Sequence, residues 1–203
     1  RVHGTGKFIS PNMIEVETPD GLKSVSFDHC IIAAGSSVAR IPGFPYEDPR
    51  MMDSTGALKL EDIPKRMLII GGGIIGLEMA TVYDALGSRI TVVELMDQLI
   101  PGADADIVRP LYRRIQRRYE AIYLKTKVTA IEALQEGLKV TFEGGQNGKT
   151  PEPQIYDCIL MAVGRRPNGR DLGAEQAGVN VDERGYIPVD RQLRTNVPHI
   201  FAI

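Results

Sequence analysis

The sequence predicts an α/β fold built on a parallel sheet, and three observations predict it. Met67-Leu68-Ile69-Ile70 is a short apolar strand that runs into a glycine turn, Gly71-Gly72-Gly73-Ile74-Ile75-Gly76. An apolar helix leaves that turn through Leu77-Glu78-Met79-Ala80, and a second strand, Arg89-Ile90-Thr91-Val92-Val93, ends on the acid Glu94. From Lys127 to Val163 the pattern changes to successive strands without an intervening helix, which adds an antiparallel three-strand meander to the sheet.

Each part of the first unit has a physical task. Gly71 permits the tight turn out of the strand, Gly73 lets the backbone approach a pyrophosphate that a Cβ would block, and Gly76 lets helix and strand pack closely. Unpaired amide hydrogens at the helix start, with the helix dipole behind them, face the phosphate oxygens. Glu94 follows at the spacing of about 20 residues expected of the acid that accepts hydrogen bonds from an adenosine ribose. A lone GxGxxG also fits a structural turn. Strand, helix, second strand and acid together predict a Rossmann-like dinucleotide cradle.

The remaining elements follow in order. Lys7-Phe8-Ile9, Met13 to Glu17, Ser24 to Phe27 and Cys30 to Ala33 read as short strands, the middle two joined as a hairpin by Pro19-Asp20-Gly21. Pro42, Gly43, Pro45 and Pro49 predict a stiff linker and a domain boundary. Asp53 or Ser54 caps a short helix. The helix from Ile74 to Leu86 turns Leu77, Ala80 and Val82 inward and stops at Gly87. A further helix starts near Asp104, and its Arg113, Arg114, Arg117 and Arg118 read as a solvated face. Of the late strands, Lys127 to Ile131 and Leu138 to Phe142 belong to the meander, and Cys158 to Val163, apolar on both faces, returns to the central sheet.

Composition narrows the function classes. The 203 residues suffice for one domain and part of another. A net charge of −2 and a pI of 6.0 give no reason to expect a nucleic-acid partner. No apolar stretch approaches the ~20 residues that span a bilayer, so no membrane association and a cytoplasmic location are expected. Cys30 and Cys158 sit in separate apolar runs without metal-ligand spacing and read as buried free thiols, and no metal site is expected. The start at Arg1 and the stop inside the strand-like Phe201-Ala202-Ile203 suggest a piece of a larger protein.

With these residues placed, the chain resembles the flavoprotein disulfide reductases that bind two dinucleotides, and among them most closely the dihydrolipoamide dehydrogenases. Gly4-Thr5-Gly6-Lys7-Phe8, Ile31 to Ser36, the GGGIIGLEMA run, Val92-Val93-Glu94, Ala162 to Asn168 and Thr195 to Ala202 fall in that family's order. The resemblance implies a partial FAD-binding domain over 1–40, an NAD-binding domain over 41–170, and a return into the FAD-binding domain over 171–203.

It further implies that Gly71, Gly72, Gly73, Ile74 and Ile75 lie along the pyrophosphate, with Gly76 behind them, and that Glu94 meets the adenosine ribose. Val128 would lie against adenine, and Ala162, Val163, Gly164 and Arg165 would approach from the next strand. Ile74 takes a gate position over the nicotinamide pocket. Glu78 is either the carboxylate beside the nicotinamide, pairing with a lysine of the FAD domain, or an exposed helix acid. Gly6 and Gly35 would give backbone contacts to FAD. Glu94, followed by Leu95, Met96, Asp97 and Gln98 with no cation among them, favours NAD over NADP.

No catalytic residue is expected in the chain, because the family's redox-active cysteine pair and its His-Glu acid-base pair belong to parts it does not contain. The implied parent is a homodimer that reoxidises the dihydrolipoyl domain of a 2-oxo acid dehydrogenase complex and reduces NAD⁺. The rival readings are another reductase of this architecture, of glutathione, mercuric or transhydrogenase type, and a non-catalytic NAD(H)-sensing module.

Overall fold

Period-two alternation sends Met67 and Ile69 of one strand into one core and Leu68 and Ile70 into another, none of them more than 5% exposed. The computed structural model describes residues 1–203, the side chain of Asn147 excepted, and the chain divides into two units. One comprises Val38–Gly164, the other Arg1–Ser37 with Arg165–Ile203.

The elements run β1 (Thr5–Ser10), β2 (Met13–Thr18), β3 (Gly21–Ser26), β4 (Cys30–Ile32), β5 (Ser36–Val38), β6 (Met51–Met52), α1 (Ser54–Ala57), β7 (Arg66–Ile70) and α2 (Ile74–Ala85). They continue with β8 (Arg89–Val93), α3 (Ala105–Ile115), β9 (Ala121–Tyr123), β10 (Thr126–Ala133), β11 (Leu138–Gly144), β12 (Gln154–Tyr156), β13 (Cys158–Met161), β14 (Arg165–Pro167) and β15 (Ile200–Ala202).

In the unit Val38–Gly164, a five-stranded parallel sheet has the order β6-β13-β7-β8-β9. The chain moves outward from β7 through β8 to β9 and then returns to the other side of β7 with β13. The carboxyl ends of β7 and β13 therefore form a topological switch point, where sheets of this kind bind ligands. Met67, Ile69, Ile90, Val92 and Leu160 pack under α2 and α3. Leu68, Ile70, Val93, Ile159 and Met161 face the antiparallel sheet β10-β11-β12, through Val128, Leu138, Val140 and Tyr156. Each fully buried Leu or Ile is worth roughly 1.5–3 kcal/mol, so both faces of the sheet are anchored.

The mixed parallel and antiparallel architecture matches expectation, and four details differ. The third meander strand is β12, a short polar-apolar alternation ahead of Cys158 that registers Leu138 against Tyr156. On α2 the inward residues are Leu77, Ala80 and Tyr83, whereas Val82 is 37% exposed; the inward set follows the 3.6-residue period, and the Tyr83 hydroxyl donates to the Ala57 carbonyl at 2.9 Å. Residues 40–50 are folded structure rather than a linker, since Phe44 enters the core and the Tyr46 hydroxyl accepts from the Ile41 amide at 2.7 Å. Residues 165–170, expected in the central domain, belong to the other unit: the Asn168 side chain donates to the Ala34 carbonyl at 2.9 Å and accepts from the Ser37 hydroxyl at 2.8 Å.

The other unit contains the expected hairpin, with Thr18 paired to Gly21 so that Pro19 and Asp20 form the turn. β1 adds to it as a third antiparallel strand. β4 and β15 form a parallel pair, and Phe8, Ile32, Ala174, Ala177, Val179, Ile200 and Ala202 close a small core around them.

Candidate functional site

β7 ends at Ile70, and the chain turns at Gly71 with φ +108°, a conformation that residues bearing a Cβ rarely adopt. The Gly71 amide donates to the Val93 carbonyl at 2.8 Å. A Cβ on Gly71 would overlap the Ala162 carbonyl, and one on Gly76 would overlap the Gly71 carbonyl and crowd Ile69. A Cβ on Gly72 would lie 2.5 Å from Leu99 Cδ2. These three glycines are required by the protein's own packing. Gly73 is different: its backbone, at φ −79° and ψ −175°, suits any residue, and a Cβ there would meet nothing within 4 Å.

Gly73 caps α2, whose first backbone bond runs from the Leu77 amide to the Gly73 carbonyl at 3.1 Å. The amides of Gly73, Ile74, Ile75 and Gly76 precede that bond and are the helix's free donors. No side chain caps the helix and no acid lies in its first turn, so these amides keep their donors and the positive end of the helix dipole. The loop thus presents amides and partial positive charge to open space, which suits an anion. Ile74 is 61% exposed, and Glu78 one turn along is exposed too.

Glu94 is only 7% exposed, and both of its oxygens are engaged. Oε2 accepts from the Gly72 amide at 2.7 Å and Oε1 from the Met96 amide at 2.8 Å. Sequence reasoning placed Glu94 at the cradle for its ligand and missed this second task of holding the glycine turn to the end of β8. A carboxylate offers about four lone-pair sites, so two remain for hydroxyl donors. Leu99 and Ile100, which close over Gly72, carry no motif, and only the turn signal Pro101-Gly102 hints at the returning loop.

Ala162, Val163 and Gly164 follow β13 at the switch point, where the Ala162 amide donates to the Ile70 carbonyl at 2.8 Å. Val163 is 39% exposed. Val128 is 4% exposed, its side chain packed in the core with Phe142 and Val140, so any ligand could meet only its backbone.

Arg165, Gly6 and Gly35 lie in the other unit. The Arg165 guanidinium donates from Nε to the Ser36 hydroxyl at 2.7 Å and from Nη2 to the Ser36 carbonyl. Gly6 is needed by its own sheet, as a Cβ there would press on Ile14 at 3.2 Å. Gly35 has φ +64° and open space where a Cβ would point. It lines a cavity of about 470 Å³ with Ile32, Ser36, Asn168, Ala202 and Ile203, past the carboxyl ends of β4 and β15.

Both cysteines are free and partly rather than fully buried. The Cys158 thiol donates to the Arg50 carbonyl at 2.9 Å, and burial pushes its pKa up to about 12. Burial also raises that of Cys30. Such protonated thiols are poor nucleophiles. A larger cavity, about 740 Å³, opens beside Cys158, Met51 and Tyr83, and no cradle residue lines it. Among the described residues no cluster of His, Cys, Asp and Glu could hold a metal ion, and no helix is long and apolar enough to cross a membrane.

A family model described as pyridine nucleotide-disulphide oxidoreductase matches residues 2–203. Similar curated proteins include a dihydrolipoyl dehydrogenase of Vibrio cholerae, 54% identical, and one of Haemophilus influenzae, 50% identical. Each alignment covers 100% of this chain and 42% of the relative, so the chain spans less than half the length of these proteins. Among solved structures, the Cu(II) complex of the HOCl-induced flavoprotein disulfide reductase RclA from Escherichia coli superposes with a TM-score of 0.88 at 30% identity. That match covers 98% of this chain and 44% of the other.

Proposed function

The chain belongs to the pyridine nucleotide-disulphide oxidoreductase family, and on that premise we propose that its unit Val38–Gly164 binds NAD(H) within a dihydrolipoyl dehydrogenase. The observation that carries this reading is Gly73. It is the one glycine of the cradle that the protein's own packing does not require, and it faces open space beside four free amides. A pyrophosphate fits there: the amides of Gly73 to Gly76 hold its oxygens, and the absent Cβ allows the approach.

The remaining lone pairs of Glu94 receive the adenosine ribose hydroxyls, while Leu95, Met96, Asp97 and Gln98 offer no cation for a 2′-phosphate. NAD is therefore preferred to NADP. Ile74 stands exposed at the helix start as the gate residue, with Glu78 one turn beyond and Ala162, Val163 and Gly164 on the neighbouring strand end. Val128 contributes backbone alone. Gly6, Gly35 and Arg165 belong to an FAD-binding region, for which the cavity beside Gly35 has room for part of a dinucleotide. When bound, the two cofactors supply the hydride chemistry, and the chain's residues position and shield them.

The parent enzyme on this reading is a cytoplasmic homodimer that oxidises dihydrolipoyl groups of 2-oxo acid dehydrogenase complexes. Higher identity to dihydrolipoyl dehydrogenases than to the RclA reductase favours this over other reductases and over a sensing module. Titration of the chain with NADH and NADPH, followed by nicotinamide fluorescence, tests the binding. Saturation by NADH with weaker binding of NADPH is expected. Cys30 and Cys158 do not have the spacing of the family's redox-active pair, so the chain with added FAD should not turn over lipoamide. A folded chain that NADH does not saturate overturns the reading.

A further inference from the structure

The loop after Glu94 folds back on the glycine turn. Leu99 is fully buried against Gly72, and the Ile100 amide donates to the Gly72 carbonyl at 2.8 Å. With the Gly72 amide on Glu94 at 2.7 Å, both polar backbone groups of Gly72, one in each of its flanking peptides, are tied to residues outside the turn. Ile100 achieves this at φ +49°, a left-handed conformation that is a true outlier for a β-branched residue. Such conformations persist where surrounding structure enforces them. Here the enforcing contacts are the burial of Leu99, the Ala103 amide on the Ile100 carbonyl at 3.1 Å and the Gln98 side chain on the Ala103 carbonyl at 2.8 Å.

We propose that Ile100 is a positioning residue for the nucleotide cradle, acting through its backbone amide on the Gly72 carbonyl. An unrestrained Gly72 carbonyl could rotate toward the pyrophosphate and repel it, or accept the Gly76 amide and withdraw a donor from the phosphates. Held by Ile100, it does neither. The inference rests on the nucleotide-binding reading for its functional consequence, whereas the restraint itself is independent of any ligand.

The test replaces the Ile100 amide by an ester, which removes the N–H and keeps the side chain, and compares it with Ile100→Gly, which keeps the N–H and tolerates positive φ. NADH affinity should fall about ten-fold in the ester and stay within about three-fold of the parent in Ile100→Gly, with cooperative melting preserved in both. Amide hydrogen exchange at Gly72, whose buried amide is held on Glu94 at 2.7 Å, should accelerate in the ester alone. An ester variant with unchanged exchange and unchanged affinity overturns the proposal. If the unmodified chain fails to bind NADH, the exchange comparison still decides whether Ile100 restrains the turn, and the failure then belongs to the nucleotide reading.

Discussion

The carboxylate of Glu94 accepts the amide of Gly72 at 2.7 Å across the gap between the first glycine turn and the end of β8. One side chain therefore places the loop and, on the proposed reading, also receives the nucleotide. Glu94→Ala should leave the buried Gly72 amide without a partner, at a cost of about 1–3 kcal/mol in stability, and should also remove the ribose acceptors. NADH affinity should drop about ten-fold to a hundred-fold, and NADPH affinity less. Calorimetry with both cofactors alongside urea denaturation separates the two effects. Equal losses for NADH and NADPH would mean that Glu94 acts through the loop alone.

The glycines divide by what surrounds them. Gly73→Val introduces side-chain atoms into open space at a backbone geometry that tolerates them, so stability should change by no more than about 1 kcal/mol, the scale of a lost N-cap preference. NADH binding should nevertheless weaken at least about a hundred-fold, since the pyrophosphate needs that space. Gly71→Ala should do the opposite and destabilise the fold itself, because of φ +108° and the Ala162 carbonyl. A folded Gly73→Val with native NADH affinity would refute the cradle.

Arg66 links the amino end of β7 to the meander, far along the strand from the cradle. Its guanidinium holds Glu120 through two bonds, at 2.6 and 3.0 Å, and donates to Gln154 at 2.9 Å and the Ile155 carbonyl at 2.8 Å. Arg66→Met should lower stability by about 2 kcal/mol, a value reduced for the pair's partial exposure, and leave NADH affinity unchanged. Chemical denaturation and fluorescence titration of one variant check both halves.

Alkaline pH should loosen the unit Val38–Gly164. Burial pushes Tyr156 from its ordinary value of 10.0 up to about 12 and Cys158 from 9.0 up to about 12. The unfolded chain therefore releases these protons first, and stability falls as pH rises between about 9 and 12. Melting temperature should hold steady from pH 7 to about pH 9 and then decline. Cys158→Ser and Tyr156→Phe should each flatten the decline, and an unaltered slope in both would exclude these groups as its source.

The sequence by itself determined the core of this protein: the strand, turn, helix and strand from Met67 to Glu94 carry their geometry in local chemistry. Apolar alternation, glycine placement and helix periodicity act over a few residues, so they are readable without the fold. The membership in a flavoprotein reductase family was legible for the same reason, as ordered short motifs. Other features depend on residues distant in the chain. β12 is a strand because β11 is beside it, and residues 40–50 are structured because Phe44 finds a core made by the meander. The two amides on Glu94, the burial of Val128 and the left-handed Ile100 over Gly72 were decided by tertiary structure alone. A hydrogen bond across sequence distance, or a backbone conformation held by packing, leaves no periodic mark in the sequence that creates it.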